Sequence, residues 1–165
     1  MKKKIKLGLL IDPNRRLQDW EYKLFNSIIN SKYCEIKAIF YEPHKIKKKS
    51  YFKRNVFNSF LNLIIKLIEK KFENTNNKKK NLFKNIAKTK IYAKKKKYDD
   101  FFNIKDIQKI KKFNLDLILR RDFRIIKGNI LKTAKHGIWS LHHGDNDFVR
   151  GIPPGFWETF FNVPT

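Results

Sequence analysis

The first forty residues constrain the fold more than any other part of the sequence. Residues 5–11 form a short apolar run that Asp12-Pro13-Asn14 ends, which is typical of a buried strand and a turn. From Leu17 to Ile29 apolar residues recur at helical spacing, and residues 33–40 return to strand-like alternation. Because a helix joining parallel strands crosses over right-handed, this β-α-β unit predicts an α/β fold with an open, mostly parallel sheet and helices on both faces.

The chain is long enough for one compact domain. It has 165 residues, of which 41% are apolar and 15% aromatic, far more apolar material than a disordered tail contains. Between residues 43 and 100 the α/β pattern loosens, and lysine runs at 47–49, 78–80 and 94–97 flank an amphipathic segment at 56–72. We therefore predict a single domain over 1–165 with a basic helical insertion at 43–100.

The α/β alternation resumes after the insertion. Asn103 is a good N-cap for a helix that reaches about residue 113, and residues 115–119 have the composition of a buried strand. A shorter helix is predicted at 128–135, and Gly137 leads from its end into a strand at 138–142.

The charge of the chain leaves two explanations open. Thirty-nine Lys and Arg residues against fifteen Asp and Glu residues give a net charge of +24, which favours anionic partners. Most of the excess is Lys beside many Asn and Ile residues, a composition typical of AT-rich genomes. Attraction to polyanions and simple compositional bias therefore both remain possible.

The cysteine content and the hydropathy pattern bear on the cellular location of the protein. The single cysteine, Cys34, excludes an internal disulfide and a multi-cysteine zinc site, and it favours a reducing, cytoplasmic environment. The best apolar stretch, residues 57–68, contains Lys66 and falls short of the roughly 20 residues of a bilayer span. We expect no membrane partner.

The segment from Gly137 to Trp157 concentrates chemistry-bearing residues directly after a predicted strand. It holds two His, three Gly and two Pro before its closing Gly-Phe-Trp, together with Arg150. Loops at the carboxyl ends of parallel strands are where open α/β sheets bind their ligands. This segment is the best candidate site in the sequence.

The same segment resembles the formyltransferase N-terminal domain family. The family pattern is a strand ending in Asn-x-His, a short loop, then Arg-Gly and a Pro-containing turn into a helix. Here His142, Arg150 and Gly151 stand at the family spacing, with Pro153 or Pro154 and Trp157 behind them. Ser140 replaces the family's Asn, and the His-His-Gly-Asp-Asn form is similar to that of one branch of the family. The resemblance covers residues 113–158 and is compatible with the opening β-α-β unit.

The resemblance implies a Rossmann-like domain that transfers a formyl group from formyltetrahydrofolate to an amine, either an amino sugar or methionyl-tRNA. His142 would stabilise the tetrahedral oxyanion and move a proton, with Ser140 beside it. Phe123, Ile126, Arg150 and Gly151 would border the folate. The family's catalytic Asp would follow on a later strand beyond Thr165, so we expect the chain to be a truncated form.

Several alternatives stay open. His142 and His143 with Asp145 are possible metal ligands, but neighbouring residues at a strand end point to opposite faces, so we predict no metal. Asp12 and Asn14 either line a pocket or cap the first helix. Residues 156–161 are predicted to form a short helix with Phe160 and Phe161 packed on the sheet.

Two other functions also stay open. One is a non-catalytic basic protein that binds nucleic acid through its lysine runs, and the other is an inactive formyltransferase homologue.

Overall fold

The computed structural model describes residues 3–43, 82–141 and 156–162. Its central feature is a parallel sheet built around the first strand. In chain order the elements are β1 (Ile5–Leu10), α1 (Asp19–Ile29), β2 (Cys34–Tyr41), β3 (Ala87–Lys90), β4 (Ala93–Lys96), β5 (Asp99–Phe102), α2 (Ile104–Lys111), β6 (Leu117–Arg120), β7 (Ile125–Ile126), a 3-10 helix (Asn129–Lys132), β8 (Ile138–Ser140) and α3 (Phe156–Phe161).

Five strands form the main sheet in the order β3-β2-β1-β6-β8, and all four neighbouring pairs are parallel. The predicted α/β fold with a mostly parallel sheet is therefore confirmed. Side chains of the central strands alternate between two cores, with Leu9 packing on the side of α1 and Leu10 on the side of α2. The two helices thus cover opposite faces, and each face buries its own apolar cluster.

The strand order defines a switch point beside β1. The chain moves from β1 through β2 to β3 on one side of the sheet, and later adds β6 and β8 on the other side. Loops that leave the carboxyl ends of β1 and β6 therefore diverge in opposite directions and open a crevice between them. In open α/β sheets such a crevice is the usual place for a ligand.

A smaller sheet, β4-β5-β7, lies within the stretch where the sequence lacks a clear pattern. β4 pairs antiparallel with β5 and β5 pairs parallel with β7. Residues 87–100 lie within the predicted basic insertion, yet they supply β3 of the main sheet, β4 and the first half of β5. The amphipathic helix predicted at 56–72 lies outside the described residues.

Several local predictions can be compared with the structure. Asn103 is the N-cap of α2, and its side chain accepts a hydrogen bond from the Asp106 amide as predicted. The helix predicted at 128–135 was wrong in type and length, because only a 3-10 helix at 129–132 forms before Gly137 turns the chain at a φ of 76°.

Two further predictions about helices were wrong. The N-cap of α1 is Gln18 rather than Asp12 or Asn14, because the helix begins only at Asp19. In α3 the rings of Phe160 and Phe161 contact each other edge-to-face and stay 70% and 60% exposed, so they do not pack on the sheet as expected.

Gly8 allows the closest packing at the centre of the sheet. A Cβ atom at this position would lie 2.6 Å from Leu115 Cδ1 and 3.2 Å from both Ile118 and Phe40. We expect Gly8→Ala to lower the free energy of unfolding by about 1–3 kcal/mol because the added methyl overpacks a core of low compressibility.

Urea denaturation would measure this loss in wild-type and Leu115→Ala backgrounds. If the clash with Leu115 is the cause, Gly8→Ala costs less once Leu115 has been shortened. An equal cost in both backgrounds would contradict the proposed contact.

Candidate active site

A cleft of about 570 Å³ opens at the carboxyl edge of the main sheet, at the switch point between β1 and β6. The loops after β1, β2 and β6 form most of its wall, and the hairpin of β4 and β5 closes one side. Its lining contains four carboxylates, three cationic side chains and one aromatic ring, which are Asp12, Glu42, Asp100, Asp122, Arg15, Lys95, Arg124 and Phe123.

A buried carboxylate ties the loops after β1 and β6 together. Glu21 has no solvent-exposed surface, and its Oε1 accepts hydrogen bonds from Arg15 Nη2 and Arg121 Nε. Its Oε2 accepts a hydrogen bond of 2.8 Å from the amide of Gln18. Since Arg15 precedes α1 and Arg121 follows β6, one side chain links both walls of the crevice.

The ionisation of Glu21 is favoured by this arrangement. Burial alone would raise the pKa of the carboxyl, but the hydrogen bonds from Gln18 and Arg121 and the charges of Arg15 and Arg121 outweigh it, so the pKa lies below its ordinary value. Arg121 also stacks over the Trp20 ring at 5.4 Å, which fixes the guanidinium from a further side.

Asp122 makes a second link across the crevice. Its Oδ2 accepts a hydrogen bond of 2.6 Å from the Asp12 amide, and its Oδ1 accepts one of 3.2 Å from Arg15 Nη1. The backbone amides of Arg121 and Asp122 both donate to the Leu10 carbonyl. Arg15 Nε is buried and has no hydrogen-bond acceptor among the described residues, so one donor of this network stays unsatisfied.

The other side of the cleft is held by Asp100, which is only 1% exposed. Its Oδ1 accepts hydrogen bonds from Arg124 Nε and Nη2 at 3.0 and 2.8 Å, and its Oδ2 accepts one from the Arg124 amide. Arg124 also donates to the carbonyls of Lys97 and Asp99. These charge-assisted hydrogen bonds therefore anchor the hairpin of β4 and β5 to the loop after β6.

Phe123 stands between these two anchored positions in a conformation that L-residues rarely adopt. Its φ is 72°, and its ring packs edge-on against Phe102 with centroids 5.4 Å apart. A bulky residue in this region is strained by roughly 1–2 kcal/mol. The hydrogen bonds of Asp122 and Arg124 on either side hold it there and present the ring to the cleft.

A second pocket of about 180 Å³ lies beside the cleft, between the ends of β6 and β8. Ile126 and Ser140 line it, together with Arg120 from the end of β6. Burial lowers the pKa of Arg120, and the nearby charge of Asp100 only partly offsets this effect. The charge of Asp100, which lines the larger cleft, thus acts on Arg120 in the smaller pocket.

The predicted site residues that the structure describes lie in these two pockets. Phe123 lines the large cleft, and Ile126 and Ser140 share the small one. His142, Arg150 and Gly151 lie outside the described residues, as does His143. Sequence reasoning identified the end of β1 as a possible pocket wall but missed Glu21, Asp100 and Arg124, whose partners are distant in sequence.

Comparison with known proteins gives no family assignment, since no family model and no curated protein matches the chain. Across residues 3–43, 82–141 and 156–162, His, Cys, Asp and Glu side chains form no group of three that could hold a metal ion. None of the helices in these ranges has both the length and the apolar character required to cross a membrane.

The buried ion pairs of Glu21 generate a prediction about stability and pH. We expect Glu21→Gln to lower the free energy of unfolding by about 3 kcal/mol at pH 7, because two partly buried guanidinium groups lose their counter-charge. A lowered carboxyl pKa contributes stability above the unfolded value of about 4.3, and this contribution disappears as pH falls through the folded pKa. The difference between wild type and variant should therefore shrink in acid.

Chemical denaturation between pH 3 and 7 would measure this difference. Asp19→Asn is the matched control, because Asp19 is an exposed carboxylate in the first turn of the same helix. It should cost less than about 1 kcal/mol. A loss at Glu21→Gln that is the same at pH 3 and pH 7 would contradict the assigned ionisation.

Proposed function

We propose that this chain binds formyltetrahydrofolate and transfers its formyl group to an amine. The observation that carries the proposal is the direction of β8. This strand runs parallel to β6 and β1, so the chain leaves it at the same edge of the sheet as the cleft. His142 follows two residues after the end of β8, within the segment that resembles the formyltransferase N-terminal domain family.

The strand order supports a Rossmann-like domain. Three consecutive strands on one side of the switch point and two later strands on the other repeat the arrangement of doubly wound α/β folds. No Gly-rich phosphate loop follows β1, where the sequence is Asp12-Pro13-Asn14-Arg15-Arg16. A dinucleotide cofactor is therefore disfavoured, whereas a folate does not require such a loop.

The chemistry of formyl transfer assigns roles to residues at the end of β8 and directly after it. The amine nitrogen attacks the formyl carbon, a tetrahedral oxyanion forms, and the bond between that carbon and the folate nitrogen then breaks. The His142 imidazole would donate a hydrogen bond to the oxyanion and carry the proton from the attacking amine to the leaving nitrogen. The Ser140 hydroxyl would donate a further hydrogen bond, in the position where the family has an Asn.

The folate would lie along the loop after β6. Phe123 offers an aromatic face in the large cleft, and Ile126 offers apolar surface in the small pocket. In this proposal Arg150 and Gly151 border the folate from the segment after His142. A cytoplasmic location, which the single Cys34 favours, is consistent with folate as the formyl donor.

The charges of the cleft favour a small amine over a polyanionic acceptor. Although the chain carries a net charge of +24, the cleft lining has four carboxylates against three cations. Carboxylates accept hydrogen bonds from hydroxyl and amine groups. A polyhydroxylated amine such as an amino sugar suits this lining better than methionyl-tRNA does.

The catalytic role of His142 can be tested by mutation in the native protein. We expect His142→Ala to reduce formyl transfer from formyltetrahydrofolate to an amino sugar by at least about 100-fold, because it removes both the oxyanion donor and the proton carrier. Formation of tetrahydrofolate would be followed by absorbance.

His136→Ala is the matched control for this experiment. His136 is exposed and precedes β8, at the opposite edge of the sheet from the cleft. It should retain activity within about twofold of wild type. Activity of His142→Ala within a few-fold of wild type would disprove the mechanism, and a wild-type protein that binds folate without turnover would indicate an inactive homologue.

Folate binding can be tested separately from catalysis at Phe123. We expect Phe123→Leu to weaken formyltetrahydrofolate binding about threefold to tenfold, because the variant keeps apolar bulk but loses the flat ring. Calorimetry would measure the dissociation constant. Phe101→Leu is the control, since Phe101 is a half-buried ring on β5 that does not line the cleft. Equal effects of the two variants would contradict the assigned site.

A further inference from the structure

The hairpin of β4 and β5 presents a basic and aromatic surface on the side opposite the cleft lining. In β-strands successive side chains point to opposite faces, and Lys95 points towards Glu42, with which it forms a salt bridge of 3.1 Å. Lys94 and Lys96 therefore lie on the other face. Lys94 is directly opposite Phe101, and the Lys96 ammonium lies 5.4 Å from the centre of the same ring.

The tip of the hairpin extends this surface. Lys97 and Tyr98 form the two-residue turn between β4 and β5, and the Lys97 ammonium lies 5.3 Å from the centre of the Tyr98 ring. The Tyr98 side chain is 67% exposed. We call the set of Lys94, Lys96, Lys97, Tyr98 and Phe101 the hairpin patch.

Within the described residues, Lys94, Lys96 and Lys97 form no salt bridge with a carboxylate. Asp99 is directly opposite Lys96 but forms its salt bridge, of 2.9 Å, with Lys127. Lys97 has a φ of 41°, a conformation that Gly or Asn adopts at lower cost. A lysine thus stands at the tip of the turn in spite of its backbone preference.

We propose that the hairpin patch binds single-stranded nucleic acid. Lysines beside an exposed aromatic ring, here Tyr98, are the combination that contacts phosphates and stacks with a base at the same time. The cleft is unsuited to this partner because its own lining is rich in carboxylates. The inference does not depend on formyl transfer, since it uses neither His142 nor any residue that lines the cleft.

The test compares two variants that have the same net charge. The first carries Lys94→Gln, Lys96→Gln and Lys97→Gln in the patch. The second carries the same change at three exposed lysines elsewhere, namely Lys23 on α1, Lys32 before β2 and Lys135 before β8. Binding of an oligouridine of about 12 nucleotides, a length that fills one single-strand binding site, would be measured by fluorescence anisotropy across a range of salt concentrations.

We expect the patch variant to lose at least about tenfold in affinity at low salt. The slope of log affinity against log salt concentration should become less negative by about 2, because about 0.7 counterions are released for each of the three lost phosphate contacts on a single strand. The control variant should stay within about threefold of wild type. Equal losses in both variants would show that binding follows net charge alone and would overturn the proposal.

The aromatic component has its own test. Tyr98→Ala should weaken oligouridine binding by at least about fivefold through the loss of stacking, while Tyr33→Ala, at a tyrosine that is 77% exposed, should have little effect. A wild-type protein that does not bind the oligonucleotide would overturn the proposal. So would a preference for vesicles of anionic phospholipid over the oligonucleotide.

Discussion

The carboxylate of Glu21, without any contact with solvent, lies between the guanidinium groups of Arg15 and Arg121. Each arginine belongs to a loop that leaves a different central strand, so the position of Glu21 determines how far apart the two loops stand. A charge buried in this way is tolerated only with its partners in place, because desolvation would otherwise cost several kcal/mol. The crevice at the switch point is consequently formed before any ligand arrives.

The loop after β6 depends on the same principle of paired charges. Asp122 and Arg124 are each fixed by partners on another element, and Phe123 between them has no freedom to relax its positive φ. Strain at one residue is therefore supported by hydrogen bonds at both neighbours. Phe102 packs edge-on against the same ring, so both the backbone and a neighbouring side chain position Phe123 on the wall of the cleft.

Much of the main sheet could be predicted from the sequence because its strands are buried on both faces. β1, β2 and β6 appear as apolar runs or alternations, and Asn103 marks the start of α2 by a local hydrogen bond. By contrast, β3 and β4 have the sequences AKTK and AKKK, which contain almost no apolar residues. Their structure comes from pairing with β2 and β5, and such tertiary stabilisation leaves no periodic signal in a single sequence.

The site was predictable only where its residues follow strands directly. Asp12 and Asp122 come shortly after β1 and β6, and their shared edge could be anticipated from the parallel sheet. Glu21 reads as an ordinary polar residue of an amphipathic helix, since nothing local reveals that Arg121, 100 positions later, will cover it. Arg124 and Asp100 are separated by 24 positions, and their pairing likewise arises from the fold.

The central position of β1 also affects how the protein is made. The hydrogen bond between Asp12 and Asp122 spans 110 positions, so the first strand leaves the ribosome long before its neighbour β6 exists. At about 5–20 residues per second, the nascent chain waits on the order of 5–20 s with one apolar strand edge unpaired. During that interval the edge is open to other chains, and a chaperone or rapid completion of synthesis would protect it.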